Sequence, residues 1–206
     1  MRFDDAKVGP AMEPGLFTVG HSNSSLEAFL GLLVEHHIEV VADVRTSPRS
    51  RYVPHFDARP LRDALARHSI NYVALGRQLG GRPEGDEFYD EADHVLYGRL
   101  ASSPAFEEGL ERVLCGAREY RVALLCSEED PSACHRHLLI GRVLRSRGVR
   151  VWHIRGDGRL ESEEELASTE GHEEQPGLFS GAYEERQWRS IRSVSRKRVP
   201  LSSSGH

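Results

Sequence analysis

The run IEVVADVR at residues 38–45 is a nearly continuous apolar segment that ends in charge. A strand of this kind is buried on both faces, as strands are in parallel sheets that helices cover on each side. Four further β-rich runs, LFTVG, NYVAL, RVALLC and VRVWHI, alternate along the chain with segments of helical spacing. The pattern predicts an α/β fold with a single doubly wound, mostly parallel five-stranded sheet flanked by helices.

The length of the chain and the loss of this pattern near both ends set the predicted domain boundaries. The 206 residues suffice for one Rossmann-like domain with a sizeable core, which we place at residues 16–155. Residues 1–15 are polar and contain several Gly and Pro, and we interpret them as a flexible leader. Residues 156–206 are interpreted as a disordered, low-order tail, because an acidic segment and then a basic one carry few apolar residues.

Composition excludes several classes of protein. No apolar run reaches the roughly 18 residues that a membrane span needs, and the acidic N-terminus lacks the apolar core of a secretory signal, so we expect a cytoplasmic protein without membrane contact. Three cysteines do not make a disulfide framework, which predicts reduced thiols. The net charge of −5 gives no overall attraction to nucleic acid, and only the basic segment at 186–198 could bind a partner such as nucleic acid. The alternative is that the acidic segment before it balances its charge.

Polar residues follow three of the predicted strands. The strings GHS, DVR and CSE close the first, second and fourth strands. Because ligands bind beyond the carboxyl ends of the strands in open α/β sheets, we expect these side chains to converge on one site. The predicted catalytic residues are His21, Asp43, Cys126, Glu128 and Cys134. The predicted substrate-binding residues are Ser22, Arg45, Arg49, Arg51, His135 and Arg136.

The segment CSEEDPSACHR at residues 126–136 is the most informative local string. Asp130 is placed to cap a helix and Pro131 fits its first position, which puts Cys134 and Arg136 in the opening turns. Free backbone N–H groups there, together with arginine, make an anion site and lower the pKa of a thiol, so that Cys134 can act as a nucleophile. The alternative is a buried cysteine that packs the helix on the sheet.

The same segment offers atoms that could bind a metal. Cys126, Cys134, His135, His137 and His21 carry suitable side chains, but their spacing matches no zinc pattern with two close pairs. On a continuous helix, moreover, the two histidines of the segment would point to different sides. We therefore predict no metal site, and the sequence names no cofactor.

Asp43 and Glu128 are the best candidates for a general acid or base, because a partly desolvated carboxylate beside an arginine can have its pKa moved in either direction. Each has a structural alternative, an ion pair of Asp43 with Arg45 or of Glu128 with Arg136. His21 is interpreted either as an assisting acid or base or as a side chain that closes a loop through a hydrogen bond.

Three separated motifs carry a resemblance to a known family. GHS after the first strand, DVRTSPRS after the second and CSEEDPSACHR after the fourth resemble, in this order, the motifs of the bacterial family named domain of unknown function 488, and the similarity covers about residues 16–154. The resemblance implies the α/β fold and a site at these motifs, but no particular reaction. The polar residues that it implies as characteristic are His21, Ser22, Asp43, Arg45, Arg49, Ser50, Cys126, Glu128, Cys134, His135 and Arg136, with Pro48, Gly80, Gly81 and Pro131 beside them.

We expect an enzyme, a hydrolase or a transferase, that acts on a phosphate-bearing substrate such as a nucleotide or nucleic acid. The arginines that follow the strands would hold phosphate, and Asp43 or Glu128 would serve as acid or base with help from His21. One alternative is a cysteine-dependent enzyme, with rhodanese-like sulfur transfer or a thiol nucleophile, although the acidic residues after Cys126 would repel an anion. Another is a non-catalytic module that senses or binds a nucleotide and signals through the tail.

Overall fold

The computed structural model describes residues 15–169 and 188–194, so the predicted leader lies almost wholly outside the described residues. Six strands form one sheet. They are β1 (Gly15–Gly20), β2 (Val40–Asp43), β3 (Asn71–Ala74), β4 (Arg121–Cys126), β5 (Val151–Ile154) and β6 (Leu160–Ser162). Their order is β3-β2-β4-β1-β5-β6, and only β6 is antiparallel to its neighbour. The mostly parallel α/β sheet is thereby confirmed, with one strand more than predicted.

Helices cover both faces of the sheet. They are α1 (Leu26–Glu35), α2 (Ala58–Arg67), α3 (Gly76–Leu79), α4 (Tyr97–Ala101), α5 (Pro104–Ala117), α6 (Arg142–Ser146) and α7 (Glu163–Thr169). Phe29 of α1 and Leu61 of α2 share a core cluster with Leu125, whereas Leu110 of α5 shares the opposite cluster with Leu124. Successive side chains of β4 thus point to opposite faces, both of them buried. None of the helices within 15–169 and 188–194 is both long and apolar enough to cross a membrane.

The structure differs from the sequence prediction after Ile154, where we expected a low-order tail. Residues 160–162 add the short strand β6 to the edge of the sheet, and α7 follows directly. Residues 188–194 also have a defined place, because the backbone of Ser190 bonds to that of Val95. β6 pairs with β5, the strand just before it, through a short turn at residues 155–159, whereas residues 188–194 contact a part of the chain that is distant in sequence. Both pieces are too short for hydrophobic periodicity to reveal them. The remainder of the predicted basic tail lies outside the described residues.

The segment that follows β4 is not the single helix that the sequence predicts. Asp130 does act as a cap, since its Oδ1 accepts a hydrogen bond from the Ser132 backbone, but it caps one 3₁₀ turn, Pro131–Ala133. Cys134 is then extended (φ −122°, ψ 146°), and a π-helical stretch, Arg136–Gly141, leads into α6. Cys134 therefore lies at the N-terminal end of this helical stretch and not inside its first turn: its carbonyl accepts a hydrogen bond from the Leu138 backbone, and the Arg136 backbone N–H lies 3.5 Å from its Sγ.

Candidate active site at the carboxyl edge of the sheet

The register of the central strands brings the polar strand ends together. β4 lies between β1 and β2, with Cys126 level with Gly20 and Leu125 level with Asp43. The backbone N–H of His21 also donates to the carbonyl of Cys126 at 3.3 Å. The side chains that follow these three strands therefore share one edge of the sheet, as in other open α/β folds.

Two thiols, an imidazole and a carboxylate meet at this edge, and we call Cys126, Glu128, Cys134 and His135 the thiol cluster. Glu128 Oε2 lies 2.9 Å from Cys126 Sγ and 3.5 Å from Cys134 Sγ. His135 Nδ1 lies 3.6 Å from the first sulfur and 3.7 Å from the second. Both cysteines are free and buried, whereas Glu128 is an exposed residue, so the cluster is closed on the protein side and meets solvent at the carboxylate.

The environment of the thiol cluster shifts the pKa values of the two cysteines in opposite directions. Burial opposes ionisation of Cys134, but a hydrogen bond from Cys126 and the positive charge of Arg136 outweigh it and hold the pKa of the Cys134 thiol well below its usual range. The same hydrogen bond, together with burial, raises the pKa of the Cys126 thiol. The first negative charge of the pair consequently belongs on Cys134, and Cys126 stays protonated beside it.

Arg136 is fully buried directly beneath the thiol cluster. Its Nε and its backbone N–H point at Cys134 Sγ from 3.4 and 3.5 Å, and its terminal nitrogens donate to Thr18 Oγ1 and to the carbonyls of Glu128 and Glu129. In the described part of the chain no carboxylate oxygen is among its partners. Of these partners only the Cys134 sulfur can ionise, so a thiolate at Cys134 would balance the charge of this buried guanidinium.

A second group of residues surrounds Arg45. Its guanidinium makes two hydrogen bonds to the Asp43 carboxylate, at 2.9 and 2.6 Å, and a further one to the carbonyl of Phe56. Tyr72 donates to Asp43 Oδ2 at 2.7 Å. Both carboxylate oxygens are thus engaged within the protein. This is the structural ion pair that the sequence offered as the alternative to acid-base work by Asp43.

His21 completes this group and is held in one tautomer. Arg45 donates to its Nε2 at 3.1 Å, which requires a lone pair there, so Nδ1 carries the proton that it donates to the Ser22 carbonyl at 2.8 Å. Burial lowers the pKa of His21 from 6.5 to about 4, against the hydrogen bond to Ser22, which raises it. The imidazole is consequently neutral at physiological pH, and its ring stacks on Phe56 with the centroids 4.2 Å apart.

The predicted phosphate-binding residues fall into two sets. Arg45 and Arg136 are buried and use their donors inside the protein. Arg49 and Arg51, on the loop after β2, are exposed, as is Ser22, whose backbone N–H bonds to the Ser127 carbonyl. Only the second set offers free donors to a ligand in solution.

A glycine pair connects this loop with the thiol cluster. A β-carbon on Gly80 would strike Thr46, and one on Gly81 would lie 2.9 Å from Cγ of the His135 ring. The backbone N–H of Arg82 bonds to Thr46 Oγ1 at 3.1 Å. The loop after α3 therefore runs between the β2 loop and His135, and it carries the exposed side chain of Arg82 to the same edge.

A third group, which sequence reasoning missed, lies behind Arg136. Glu163 Oε2 lies 2.9 Å from His137 Nδ1 and 3.0 Å from His153 Nε2, and the Glu163 side chain is fully buried. Thr18 Oγ1 accepts from Arg136 and so donates its own proton to His153 Nδ1, at 2.8 Å, which leaves the Nε2 proton of His153 for Glu163. A buried relay thus connects the arginine to α7. A lone histidine inside an apolar strand is the one sequence signal that could have pointed to it.

Two sets of side chains have the composition and proximity of metal ligands. The ligand atoms of Cys126, Cys134 and His135 lie within 4.8 Å of one another, and so do those of His137, His153 and Glu163. The first set was dismissed on the sequence because its spacing fits no common zinc motif. Its members come together because Cys134 is extended and a 3₁₀ turn folds the chain back on the end of β4.

Comparison with curated proteins and with solved structures found no match for this chain. A family model described as "Domain of unknown function DUF488" matches residues 25–143, more than half of the chain. The matched range includes the DVR and CSEEDPSACHR motifs, with all of the thiol cluster and the Asp43–Arg45 pair. The chain therefore belongs to the DUF488 family.

Proposed function

We propose that the protein is an enzyme that acts on a phosphate-bearing substrate, a nucleotide or a nucleic acid, at the carboxyl edge of its sheet. The observation that carries the proposal is the thiol cluster itself, which gathers ionisable side chains from the end of β4 and the segment after it beside loops with exposed arginines. Clusters of this kind, with strongly shifted pKa values, are typical of reactive centres.

Glu128 is the group best suited to acid-base chemistry. It is exposed at the mouth of the cluster, and its Oε2 already accepts a hydrogen bond from the Cys126 thiol. Asp43, the other candidate, has both oxygens bound by Arg45 and Tyr72 and acts as a positioning residue that fixes the end of β2. In this proposal Glu128 transfers the proton, and Asp43 with Arg45 and Tyr72 holds the end of β2 in place.

Exposed arginines supply the affinity for phosphate. Arg49 and Arg51 follow β2, and Arg82 follows the glycine pair that packs on Thr46 and His135. A planar guanidinium binds a phosphate through two parallel hydrogen bonds, which suits arginine to this role. The substrate would thus lie across the loops and present its reacting group to Glu128.

A screen of nucleotides and short oligonucleotides for thermal stabilisation tests the substrate class. A ligand at about a hundred times its dissociation constant adds roughly 2.7 kcal/mol to the free energy of unfolding. We expect the double variant Arg49→Ala/Arg51→Ala to lose at least about tenfold in affinity, whereas Arg67→Ala, an exposed arginine at the far end of α2, behaves as wild type. Equal binding by both variants, or no stabilising nucleotide, contradicts the proposal.

The reaction is tested with Glu128→Gln, a change that preserves shape and removes the charge. We expect turnover of the ligand found in the screen to fall by about a hundredfold or more, with an unchanged unfolding midpoint. Retained turnover would remove Glu128 from the mechanism.

One observation favours a second candidate, thiol chemistry at Cys134. Arg136 stabilises the thiolate through two N–H contacts, and a stabilised thiolate is a nucleophile. Attack on thiosulfate would form a persulfide on Cys134 and release sulfite. Mass spectrometry after incubation with thiosulfate tests this, and an unmodified Cys134 excludes it.

A further inference from the structure

We propose that Cys126, Cys134, His135 and Glu128 form a tetrahedral binding site for a thiophilic divalent cation of the zinc class. The ligand set joins two sulfurs, one imidazole nitrogen and one carboxylate oxygen, which are the atoms that zinc prefers in proteins. The role of the metal in turnover rests on the function proposed above, whereas its binding does not.

The distances within the thiol cluster fit a metal better than they fit direct hydrogen bonds. With Zn–S of about 2.3 Å and Zn–N or Zn–O of about 2.0 to 2.1 Å, a sulfur and a nitrogen or oxygen on a tetrahedral ion lie about 3.5 to 3.6 Å apart. His135 Nδ1 is 3.6 and 3.7 Å from the two sulfurs, and Glu128 Oε2 is 3.5 Å from Cys134 Sγ. Glu128 Oε2 lies 2.9 Å from Cys126 Sγ and is not among the ligand atoms that all lie within 4.8 Å of one another, so the carboxylate must move when an ion enters.

The charges of the site also balance with a divalent cation. Two thiolates and a carboxylate carry three negative charges, and the ion with the buried Arg136 supplies three positive ones. Arg136 Nε is 3.4 Å from the Cys134 sulfur, and the Cys126 sulfur is 2.9 Å from the Glu128 carboxylate, so three acidic groups lie beside one buried guanidinium. Thiol ligands lose their protons when they coordinate a metal.

The residues around the ligands hold them in place. Arg136 directs two N–H groups at Cys134 Sγ, the kind of outer contact that orients a thiolate ligand. Gly81 packs on the His135 ring, and the Nε2 of His135 is buried with no hydrogen-bond partner among the described residues, so that Nδ1 is the nitrogen aimed at the cluster.

The group formed by His137, His153 and Glu163 is a weaker candidate for the same ion. A single carboxylate oxygen already accepts from both rings at 2.9 and 3.0 Å, and Thr18 occupies the other nitrogen of His153. These hydrogen bonds satisfy the ring nitrogens that an ion would need. In the thiol cluster, in contrast, the two sulfurs and His135 Nδ1 lie within 4.8 Å of one another, and the Glu128 carboxylate lies beside the sulfurs.

Three ligands are held by the protein core and Glu128 alone is on the solvent side. A water molecule can therefore displace the carboxylate from the ion and occupy the fourth position, as in catalytic zinc sites. When bound, the ion would supply Lewis-acid chemistry that lowers the pKa of such a water, and the Glu128 carboxylate would be placed to accept its proton. This water would stand beside the phosphate that the exposed arginines hold.

Elemental analysis of the full chain, supplied with zinc and then desalted, tests the site directly. We expect about one zinc ion per chain in the wild type and less than about a tenth of that in Cys126→Ser/Cys134→Ser. Cys115→Ser is the matched control, because Cys115 is exposed and outside the cluster, and it should bind as wild type. Cobalt(II) in the same site should show thiolate charge-transfer absorption. Zinc in the wild type no higher than in the double variant overturns the proposal.

Alkylation of the wild-type chain covers the case in which the double variant fails to fold. Cys115 should react at once, and Cys126 with Cys134 only after a strong chelator is added. Reactivity that ignores the chelator overturns the site. Bound zinc without any response to nucleotides would support the site and contradict the proposed function. Nucleotide turnover by the metal-free chain would support the function and contradict a catalytic ion.

Discussion

His21 and Glu128 follow neighbouring strands at the same edge of the sheet but differ in how firmly they are held. Both ring nitrogens of His21 have partners, and the side chain is only 3% exposed. Glu128 is exposed, and one of its oxygens faces the two thiols. His21 is therefore held in a neutral form, whereas the Glu128 carboxylate is open to solvent and lies beside the two thiols.

The neutral state of His21 predicts a loss of stability in acid. Its pKa is about 4 in the folded protein and near 6.5 in the unfolded chain, so the unfolded state binds the extra proton between these values. The contribution of His21 is complete above pH 6.5 and falls as pH decreases, by about 2 to 3 kcal/mol at pH 4.5. In denaturant titrations we expect the free energy of unfolding of His21→Gln to fall less between pH 6.5 and pH 4.5 than that of the wild type, by about 2 to 3 kcal/mol. His68→Gln, at an exposed site, should keep the wild-type pH dependence.

The sequence predicted where the candidate residues lie because they follow the ends of predicted strands. A strand buried on both faces is readable from IEVVADVR, and the polar residues that follow it must then lie at the edge where ligands bind. The sequence did not show which of these side chains are exposed to solvent and which are buried. Arg45 is buried because the carbonyl of Phe56 and the Asp43 carboxylate enclose it, and Arg136 because its backbone turns inward after Cys134. Those are properties of tertiary packing.

The 3₁₀ turn and the π-helical stretch after β4 determine which side chains meet at the candidate site. A regular helix from Asp130 would have carried Cys134 away from Cys126, whereas the 3₁₀ turn and the extended Cys134 return the chain to the strand end. Sequence patterns favour the regular helix, because capping residues and helical spacing are the only local signals. The irregular path depends on Arg136, whose side chain finds its partners in β1 and in the loop before the turn.

The loop after α3 packs against the His135 ring through Gly81. A β-carbon on Gly81 would be 2.9 Å from Cγ and 3.0 Å from Nδ1 of His135, so Gly81→Ala should push the ring away from the sulfurs. We expect zinc affinity, measured by competition with a chelator, to fall about tenfold, as for other changes beside metal ligands. Gly31→Ala is the control, since nothing lies near that position on α1. It should bind zinc as wild type and gain about 0.5 to 1 kcal/mol of stability. Equal zinc affinities would separate Gly81 from the site.

Two segments that the sequence pattern did not show, α7 and residues 188–194, pack against the rest of the described chain. α7 places Glu163 beneath α6 and β5, where it meets His137 and His153. Residues 188–194 return to the loop before α4, where Ser190 and Val95 exchange hydrogen bonds. The mostly parallel α/β sheet was predictable because its strands and helices repeat local patterns. The contacts of Glu163 and of residues 188–194 were not, because each depends on a few side chains that meet only in the folded chain.

Trp188 is the main anchor of the returning segment. Its indole N–H donates to the carbonyl of Leu138 at 2.7 Å, its own carbonyl accepts from the Tyr97 backbone, and Arg142 lies over its ring at 4.7 Å. Since the ring is partly buried, we expect Trp188→Ala to lower the free energy of unfolding by about 2 to 3 kcal/mol in denaturant titrations. Ile191→Ala, three residues on and 61% exposed, should change it by less than about 0.5 kcal/mol. Equal free energies of unfolding for the two variants would show that the contacts of Trp188 do not stabilise the fold.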